Sequence, residues 1–389
     1  MKRNLDKNTF CGLQEWPGCG ADSAKPGYYQ ALAGESAPIR AAPRGDGDMD
    51  DDDQIVAGER RKALDAWLAG TGRASGATIT TASEDASFRR YFRATTATGT
   101  LIVMDAPPAR EDSRSFVDIA AMLADMGLNA PRVLSADLEQ GFLLLTDLGA
   151  DVYLDRLVSH PEEVDSLYDA ALAALARLQD RGAAFQSRLP AYGADLLQSE
   201  MSLFHDWLCG IHLGLDFTAT EELEWRRLCA TLIRNALDQP QVFVHRDFHS
   251  RNLMVTPADS PGLLDFQDAV EGPLTYDLVS LLKDCYFSLP PDVVLARVDA
   301  FYLGLPEARR AGISVELFRR YFELMGVQRH LKAAGIFARL YHRDGKARYL
   351  ADIPRTLGYV SALSGRYPEL RFLVGFLETR VLPALAVHP

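Results

Sequence analysis

Cysteine is scarce in this chain of 389 residues, since the five cysteines are scattered and form no CxxC pair. An odd number without paired spacing argues against a disulfide framework and a zinc site, and it predicts a cytoplasmic protein with reduced thiols. Long apolar runs are also missing, and without about 18 consecutive apolar residues no membrane-spanning helix is expected. Positive charge is scarce as well, because the formal net charge is −12. Nucleic-acid binding needs a basic surface, so the composition excludes that class of partner.

The amino-terminal segment differs in composition from the remainder. It is rich in Gly, Ala and Pro, lacks helical or strand periodicity, and ends in the acidic run Asp50–Asp53. No continuous apolar stretch follows Lys2 and Arg3, so a secretory signal is not indicated. The composition predicts that residues 1–48 are a disordered and dispensable extension. We therefore expect a protein that begins at Met49 to keep full activity.

The remaining residues divide into two parts by the period of their apolar positions. Alternating or short apolar stretches predict strands at 77–81, 87–95, 100–105, 133–136 and 141–146, with helices at 55–68 and 113–126. Beyond residue 148 most apolar positions recur at helical spacing, as in 161–181, 277–287 and 315–341. The pattern predicts an α+β protein with a small β-rich lobe over 49–147 and a larger, mostly helical lobe over 148–389.

Two motifs carry the candidate chemistry. The first is VFVHRDFHSRNLMV at 242–255, and the second is LLDFQDAVEGPLTYDL at 263–278. Each motif is an apolar strand that delivers polar residues at a turn. Phosphoryl transfer from ATP requires a carboxylate that orients and deprotonates a hydroxyl, together with amide and carboxylate oxygens that hold Mg²⁺. The ordered pair of motifs predicts Asp247 as the base and Asn252 and Asp265 as the metal ligands.

These motifs resemble those of the aminoglycoside phosphotransferase-like family, small-molecule kinases related to protein kinases in which HGDxHxxN is the usual first motif. Arg246 replaces the common Gly and is similar to the HRD of protein kinases. The resemblance covers roughly residues 55–385. It implies a bilobal protein-kinase-like fold, with ATP and Mg²⁺ as cofactors and Asp277 as a brace for the catalytic loop. We expect His245 to be structural through hydrogen bonds, and His249 to support Asp265 or the loop backbone.

Four further segments resemble one branch of that family. They are SFRRYFR at 87–93, MDAPP at 104–108, LLTDLG at 144–149 and QRHLKAAGIFARL at 328–340. The branch contains bacterial anomeric kinases of cell-wall recycling, which phosphorylate N-acetylmuramate and N-acetylglucosamine at C1. Two alternatives stay open: an aminoglycoside or choline-like amino-alcohol kinase, and a catalytically silent nucleotide-binding regulator. The intact set Asp247, Asn252 and Asp265 argues against silence.

The predicted nucleotide site departs from protein kinases in two ways. The segment in the place of the phosphate-covering loop contains no Gly, so backbone amides near Phe88 and the hydroxyl of Ser83 or Ser87 are the candidates for phosphate. The third strand has Met104 near the position of the usual lysine, and the following helix has no glutamate. A cation must still offset phosphate charge.

Arg89, Arg90 and Arg93 are the candidates for that cation. Strand alternation places Arg89 and Arg93 on one face and Arg90 on the other, without deciding which face meets the nucleotide; Arg90 is retained as the nucleotide-binding prediction. The segment Leu143–Gly149 is the predicted hinge between the lobes, and a kinase hinge holds adenine chiefly through backbone groups. Its predicted adenine neighbours are Leu145, Thr146, Asp147 and Leu148.

The acceptor site is predicted from charge and from the resemblance together. N-acetylmuramate carries a lactyl carboxylate, which suits a basic pocket through charge-assisted hydrogen bonds. Arg251, Arg329 and Lys332 are the candidate residues for this contact. Asp268 either binds the acceptor or caps its turn. The expected partners are thus ATP and a sugar, and we expect a monomer.

Overall fold

The computed structural model describes residues 51–84 and 89–387, so the predictions for residues 1–48, for Ser87 and for Phe88 lie outside it. The first lobe is a five-stranded antiparallel sheet in the order β1-β2-β3-β5-β4. Its elements, in chain order, are α1 (Asp51–Gly70), β1 (Thr78–Glu84), β2 (Arg90–Thr96), β3 (Gly99–Asp105), α2 (Arg114–Asp125), β4 (Val133–Asp137) and β5 (Phe142–Thr146). This order matches the predicted one.

A helix packs against each face of the sheet, and the side chains of β5 contribute to both contacts. Phe142 and Leu144 point to one face and pack with Leu64 and Leu68 of α1. Leu143 and Leu145 point to the other face, in one core with residues of α2 that include Phe116. A strand with two buried faces needs a continuous apolar run instead of alternation, as FLLLT supplies.

The second lobe is mostly helical, which confirms the predicted α+β class and the bilobal protein-kinase-like arrangement. Its helices are α3 (Tyr153–Ser159), α4 (Val164–Gly182), α5 (Ala194–Leu203), α6 (Ala219–Leu237), α7 (Tyr276–Leu282), α8 (Pro291–Gly304), α9 (Glu307–Arg310), α10 (Val315–Asp344), α11 (Ile353–Ser361), α12 (Arg371–Phe376) and α13 (Leu382–Val387). Helix α5 continues without a break into a π-helical segment, Phe204–His212. Among the described residues, none of the helices combines the length and apolarity needed to cross a membrane.

Helix α10 is the central element of this lobe. It begins at Ser314, whose hydroxyl accepts a hydrogen bond from the N–H of Leu317 at 3.2 Å. It ends at Gly345, whose φ of +68° suits a residue without a Cβ. Gly335 allows the π-helical segment to approach closely, because an added Cβ would lie 2.2 Å from the backbone carbonyl carbon of Leu203. The helix therefore packs backbone to backbone against its neighbour.

Four short strands bring the two motifs together. Strand β6 (Gln241–Val244) pairs with β9 (Val270–Pro273), and β7 (Leu253–Met254) pairs with β8 (Gly262–Leu263). All pairings are antiparallel, so the loop after β6 and the loop after β8 emerge on the same side, beneath the first lobe. The predicted helix over 277–287 is shorter than expected and ends at Leu282.

Candidate active site

The catalytic loop begins where β6 ends, at His245 and Arg246. Arg246 has a φ of +76°, a left-handed conformation that is unfavourable for a residue with a side chain. The buried carboxylate of Asp277, in the first turn of α7, accepts hydrogen bonds from the N–H groups of His245 at 2.6 Å and Arg246 at 3.0 Å. These two bonds hold the turn that presents Asp247, which is the bracing geometry predicted for Asp277.

The structure brings the three predicted catalytic residues together. The Asn252 amide nitrogen lies 3.1 Å from the carbonyl oxygen of Asp247 and 3.3 Å from Oδ2 of Asp265. Asp265 is held with a φ of +59°, and its Oδ1 accepts a hydrogen bond from Gln267 at 2.6 Å. A side-chain amide beside a carboxylate is a donor set that suits Mg²⁺, so the residues present fit the predicted metal.

Asp247 has the electrostatic environment of an ionised carboxylate. Its burial raises the pKa, but the positive charges of Lys332, Arg246 and Arg329 outweigh that effect and hold the pKa below its ordinary value. A carboxylate with a lowered pKa is deprotonated at neutral pH and can accept a proton. The environment is therefore compatible with the role of a base.

The two histidines of the first motif are held by packing. His245 is fully buried, burial lowers its pKa to about 4, and its ring is edge-on to Phe248. Within the described part of the chain neither of its ring nitrogens has a hydrogen-bond partner, so the bracing bond comes from its backbone. The His249 ring lies edge-on to Tyr286, with centroids 5.3 Å apart. The loop is tied down after His249 by Ser250, whose N–H and hydroxyl donate to Asp284.

A cavity of about 360 Å³ lies between the sheet and the catalytic loops. All four predicted hinge residues line it, and so do Asn252 and Asp265. Its apolar walls come from both lobes and include Ile102, Phe116, Met254, Leu264 and Phe266. A largely apolar cavity that reaches the candidate metal ligands has a lining that suits a nucleotide, with the hinge at one end and Asp265 at the other.

The arginines of β2 are distributed over both faces of the sheet. Arg93 lines the cavity, and its guanidinium contacts the carboxylate of Asp147 and the carbonyl oxygen of Gly149, both at 2.7 Å. Arg90 lies on the other face and is paired with the buried Asp105. The structure thus places Arg93, and not the predicted Arg90, in the cleft. Arg89 pairs with Glu111 at 2.9 Å.

Ser83, a predicted phosphate contact, lies in β1. The part of the chain that the structure describes does not include its side chain.

The predicted acceptor residues of α10 are buried behind the catalytic loop. The Lys332 ammonium lies 2.9 Å from Glu200 and 3.0 Å from the Tyr276 hydroxyl. Arg329 is 6% exposed and donates toward the sulfur of Cys285 at 3.7 Å. Both residues act on Asp247 through their charge. Glu200 was not predicted, since no local pattern marks it.

Arg251 and Asp268 lie nearer to the surface. Arg251 is half-buried at the edge of the cavity, with its guanidinium 3.7 Å from the centre of the Tyr286 ring and 4.0 Å from Asp352. The side chain of Asp268 is exposed, and its carbonyl oxygen accepts a long hydrogen bond from Arg246 at 3.4 Å. Arg251 is therefore the predicted acceptor residue that lies beside the cleft.

A β-rich lobe, a helical lobe and a cleft that ends in an Asp–Asn–Asp set define a phosphotransferase of the protein-kinase-like class. Residues 78–312 match the model of the phosphotransferase enzyme family, designated APH. The chain belongs to this family, as the sequence analysis predicted.

The chain is similar in sequence to named kinases over most of its length. The N-acetylmuramate/N-acetylglucosamine kinase of Pseudomonas aeruginosa is 48% identical over 325 residues, which cover 80% of this chain and 94% of that protein. The Pseudomonas putida protein of the same name is 46% identical over 311 residues, 78% of this chain and 88% of its own. An ethanolamine kinase structure from Plasmodium vivax covers 81% of this chain and 89% of its own, with a TM-score of 0.54 and 10% identity. That last likeness concerns the fold alone.

Proposed function

We propose that this protein is an ATP- and Mg²⁺-dependent kinase that phosphorylates the anomeric C1 hydroxyl of N-acetylmuramate and N-acetylglucosamine in cytoplasmic peptidoglycan recycling. The observation that carries the proposal is the Asp247, Asn252 and Asp265 set at the end of the interlobe cleft. The acceptor is inferred from the 48% identity to a kinase named for these two sugars.

The reaction assigns a separate role to each residue of the set. Asp247 orients the C1 hydroxyl and accepts its proton while the sugar oxygen bonds to the γ-phosphorus and the bond from phosphorus to the ADP oxygen breaks. An anomeric hydroxyl is more acidic than an ordinary alcohol, so a carboxylate is an adequate base. Asn252 and Asp265 would hold Mg²⁺, which neutralises phosphate charge when bound. Arg93 lines the hinge end of the same cleft, where it pairs with Asp147.

One cation beside the cleft favours an acceptor that carries a carboxylate over a polycationic aminoglycoside. Arg251, half-buried on Tyr286, is the residue that we assign to the lactyl carboxylate of N-acetylmuramate.

Phosphorus NMR of the product made from each sugar with ATP and Mg²⁺ tests this proposal. We expect a sugar 1-phosphate from both sugars and at least about 100-fold slower formation by the Asp247→Asn variant, since positioned acid–base groups contribute about 100-fold or more. Arg251→Met should lower kcat/KM for N-acetylmuramate by roughly tenfold to a hundredfold relative to N-acetylglucosamine, if a contact of ~1.5–3 kcal/mol is lost. A 6-phosphate product, or transfer to aminoglycosides alone, would exclude the proposed function.

A further inference from the structure

A buried carboxylate outside both motifs contacts the catalytic loop from behind. Glu200 lies on α5, and its side chain is 6% exposed. Its carboxylate accepts hydrogen bonds from the guanidinium of Arg246 at 2.6 Å and from the amide of Gln328 at 3.1 Å. The Lys332 ammonium lies 2.9 Å away, and the Tyr192 hydroxyl donates to the same carboxylate. Glu200 thus joins the catalytic loop to α5 and to α10 at one point.

Arg246 needs such an anchor because of its backbone. A left-handed φ in a residue with a side chain is unfavourable and persists only where the surroundings impose it. Two contacts impose it here: Asp277 accepts the N–H of Arg246, and Glu200 holds the guanidinium. A Gly at this position would adopt the same φ freely and would need no partner for a side chain.

We propose that Glu200 is a positioning residue for phosphoryl transfer, because it anchors Arg246 and thereby fixes the orientation of Asp247 toward the acceptor hydroxyl. The inference rests on the proposed function, in which Asp247 is the base.

Charge balance supports the same role. Arg246 and Lys332 both lie against Glu200, and both also act on Asp247. Without the negative charge of Glu200, these two buried cations still act on the carboxylate of Asp247. An ion pair with either would turn Asp247 away from the acceptor, and a displacement of about 1 Å at a reacting group can lower the rate by about a hundredfold.

The test compares Glu200→Gln with a matched variant, Glu323→Gln. Glu323 is likewise a buried carboxylate that pairs with an arginine, Arg366 at 2.7 Å, and accepts a tyrosine hydroxyl, but it does not contact the catalytic loop. We expect Glu200→Gln to lower kcat by about tenfold or more with little change in the KM for ATP, because the nucleotide pocket is not altered. Glu323→Gln should keep the kcat of the wild type. An unchanged kcat in Glu200→Gln would overturn the inference.

A double-mutant cycle tests whether Glu200 acts through Arg246. In an Arg246→Gly background, where the left-handed turn needs no anchor, Glu200→Gln should lower kcat clearly less than it does in the wild type. An equal loss in both backgrounds would contradict the mechanism. If Glu200→Gln does not fold, the kcat values of Arg246→Ala and Arg246→Gly provide the test. Ala is strained at the left-handed φ and has no side chain for Glu200 to hold, so Arg246→Ala should have the lower kcat of the two. Equal kcat values would refute the inference.

Hydrogen exchange separates this inference from the proposed function. Amides of the peptide 242–252 should exchange faster in Glu200→Gln than in the wild type or in Glu323→Gln, because Arg246 loses one of the two carboxylates that hold it. This measurement needs no acceptor. A wild type that phosphorylates neither sugar would therefore refute the proposed function alone, while unchanged exchange would refute the anchor.

Discussion

At the residue scale, the catalytic segments contain two side chains at left-handed backbone positions, Arg246 and Asp265. Such positions are unfavourable and are maintained by the contacts around them. For Arg246 these contacts are the carboxylates of Asp277 and Glu200, and for Asp265 they include the amides of Asn252 and Gln267. The local strain is thus opposed by buried hydrogen bonds, which place Asp247 and Asp265 before any ligand binds.

The metal role of Asp265 gives a prediction at this scale. Asp265→Ala should remove the Mg²⁺-dependent part of nucleotide affinity as well as phosphoryl transfer, because the carboxylate beside Asn252 is lost. Calorimetry with a non-hydrolysable ATP analogue, with and without Mg²⁺, measures this directly. Asp292→Ala, which removes an exposed carboxylate from α8, is the control and should bind as the wild type does. If Asp265→Ala kept its full response to Mg²⁺, Asp265 would not be a metal ligand.

At the scale of elements, the contact between α10 and the π-helical segment Phe204–His212 depends on one glycine. A Cβ at Gly335 would lie 2.2 Å from the carbonyl carbon of Leu203 and 2.4 Å from the backbone nitrogen of Phe204. Neither backbone atom can move without shifting the segment. The same segment follows α5, which holds Glu200, so this contact also influences the anchor of the catalytic loop.

Two alanine substitutions of helical glycines test this contact. Gly335→Ala should destabilise the protein by about 1–3 kcal/mol or more, since overpacking between two helices forces a backbone shift. Gly358→Ala should leave stability unchanged or raise it by up to about 1 kcal/mol, because this exposed position in α11 has no atom within 4 Å of the added Cβ. Urea denaturation of both variants measures the difference. Equal stabilities would show that the two helices are not in close contact at Gly335.

At the scale of the whole molecule, buried histidines make stability depend on pH. Burial lowers the pKa of His245 to about 4 and that of His330 to about 3, from an ordinary value of 6.5. Near pH 5 the unfolded chain therefore binds about two more protons at these positions than the folded protein does. Their contribution to stability is complete above pH 6.5 and is lost as the pH falls toward 4 for His245 and toward 3 for His330. Burial also lowers the pKa of His249, which adds to this effect. Asp277 acts in the opposite direction, since burial raises its pKa to about 7. His205 does so too, because its bonds to Asp206 and Glu222 outweigh its burial and raise its pKa.

We accordingly expect the free energy of unfolding to fall between pH 6.5 and pH 5 by roughly 2 kcal/mol for each of His245 and His330, partly offset by Asp277 and His205. Urea denaturation at several pH values measures the slope. His330→Gln keeps a donor for the carbonyl oxygen of Lys283, which the ring contacts at 2.9 Å, but cannot titrate. Its slope should be smaller than that of the wild type by about one proton. A variant with the wild-type slope would show that His330 does not contribute.

Much of the fold was predictable because its signals are local. The continuous apolar run of β5, the alternation in β2 and β3 and the helical period beyond residue 148 each reflect the faces that a single element buries. Element ends were less accurate, as at α7, because packing against neighbours decides where a helix stops. The prediction that residues 1–48 are dispensable stays a prediction, which a protein beginning at Met49 would test.

The sequence by itself determined which residues form the candidate catalytic set, because Asp247, Asn252 and Asp265 come from two motifs with a characteristic order and spacing. Only the tertiary structure decided which charged side chains form ion pairs with each other. It placed Arg93 in the cleft and Arg90 on Asp105, and it buried Lys332 against Glu200, 132 positions away in the chain. The reason is physical: a local motif specifies a turn, whereas the partner of a buried charge depends on how separate helices and sheets pack.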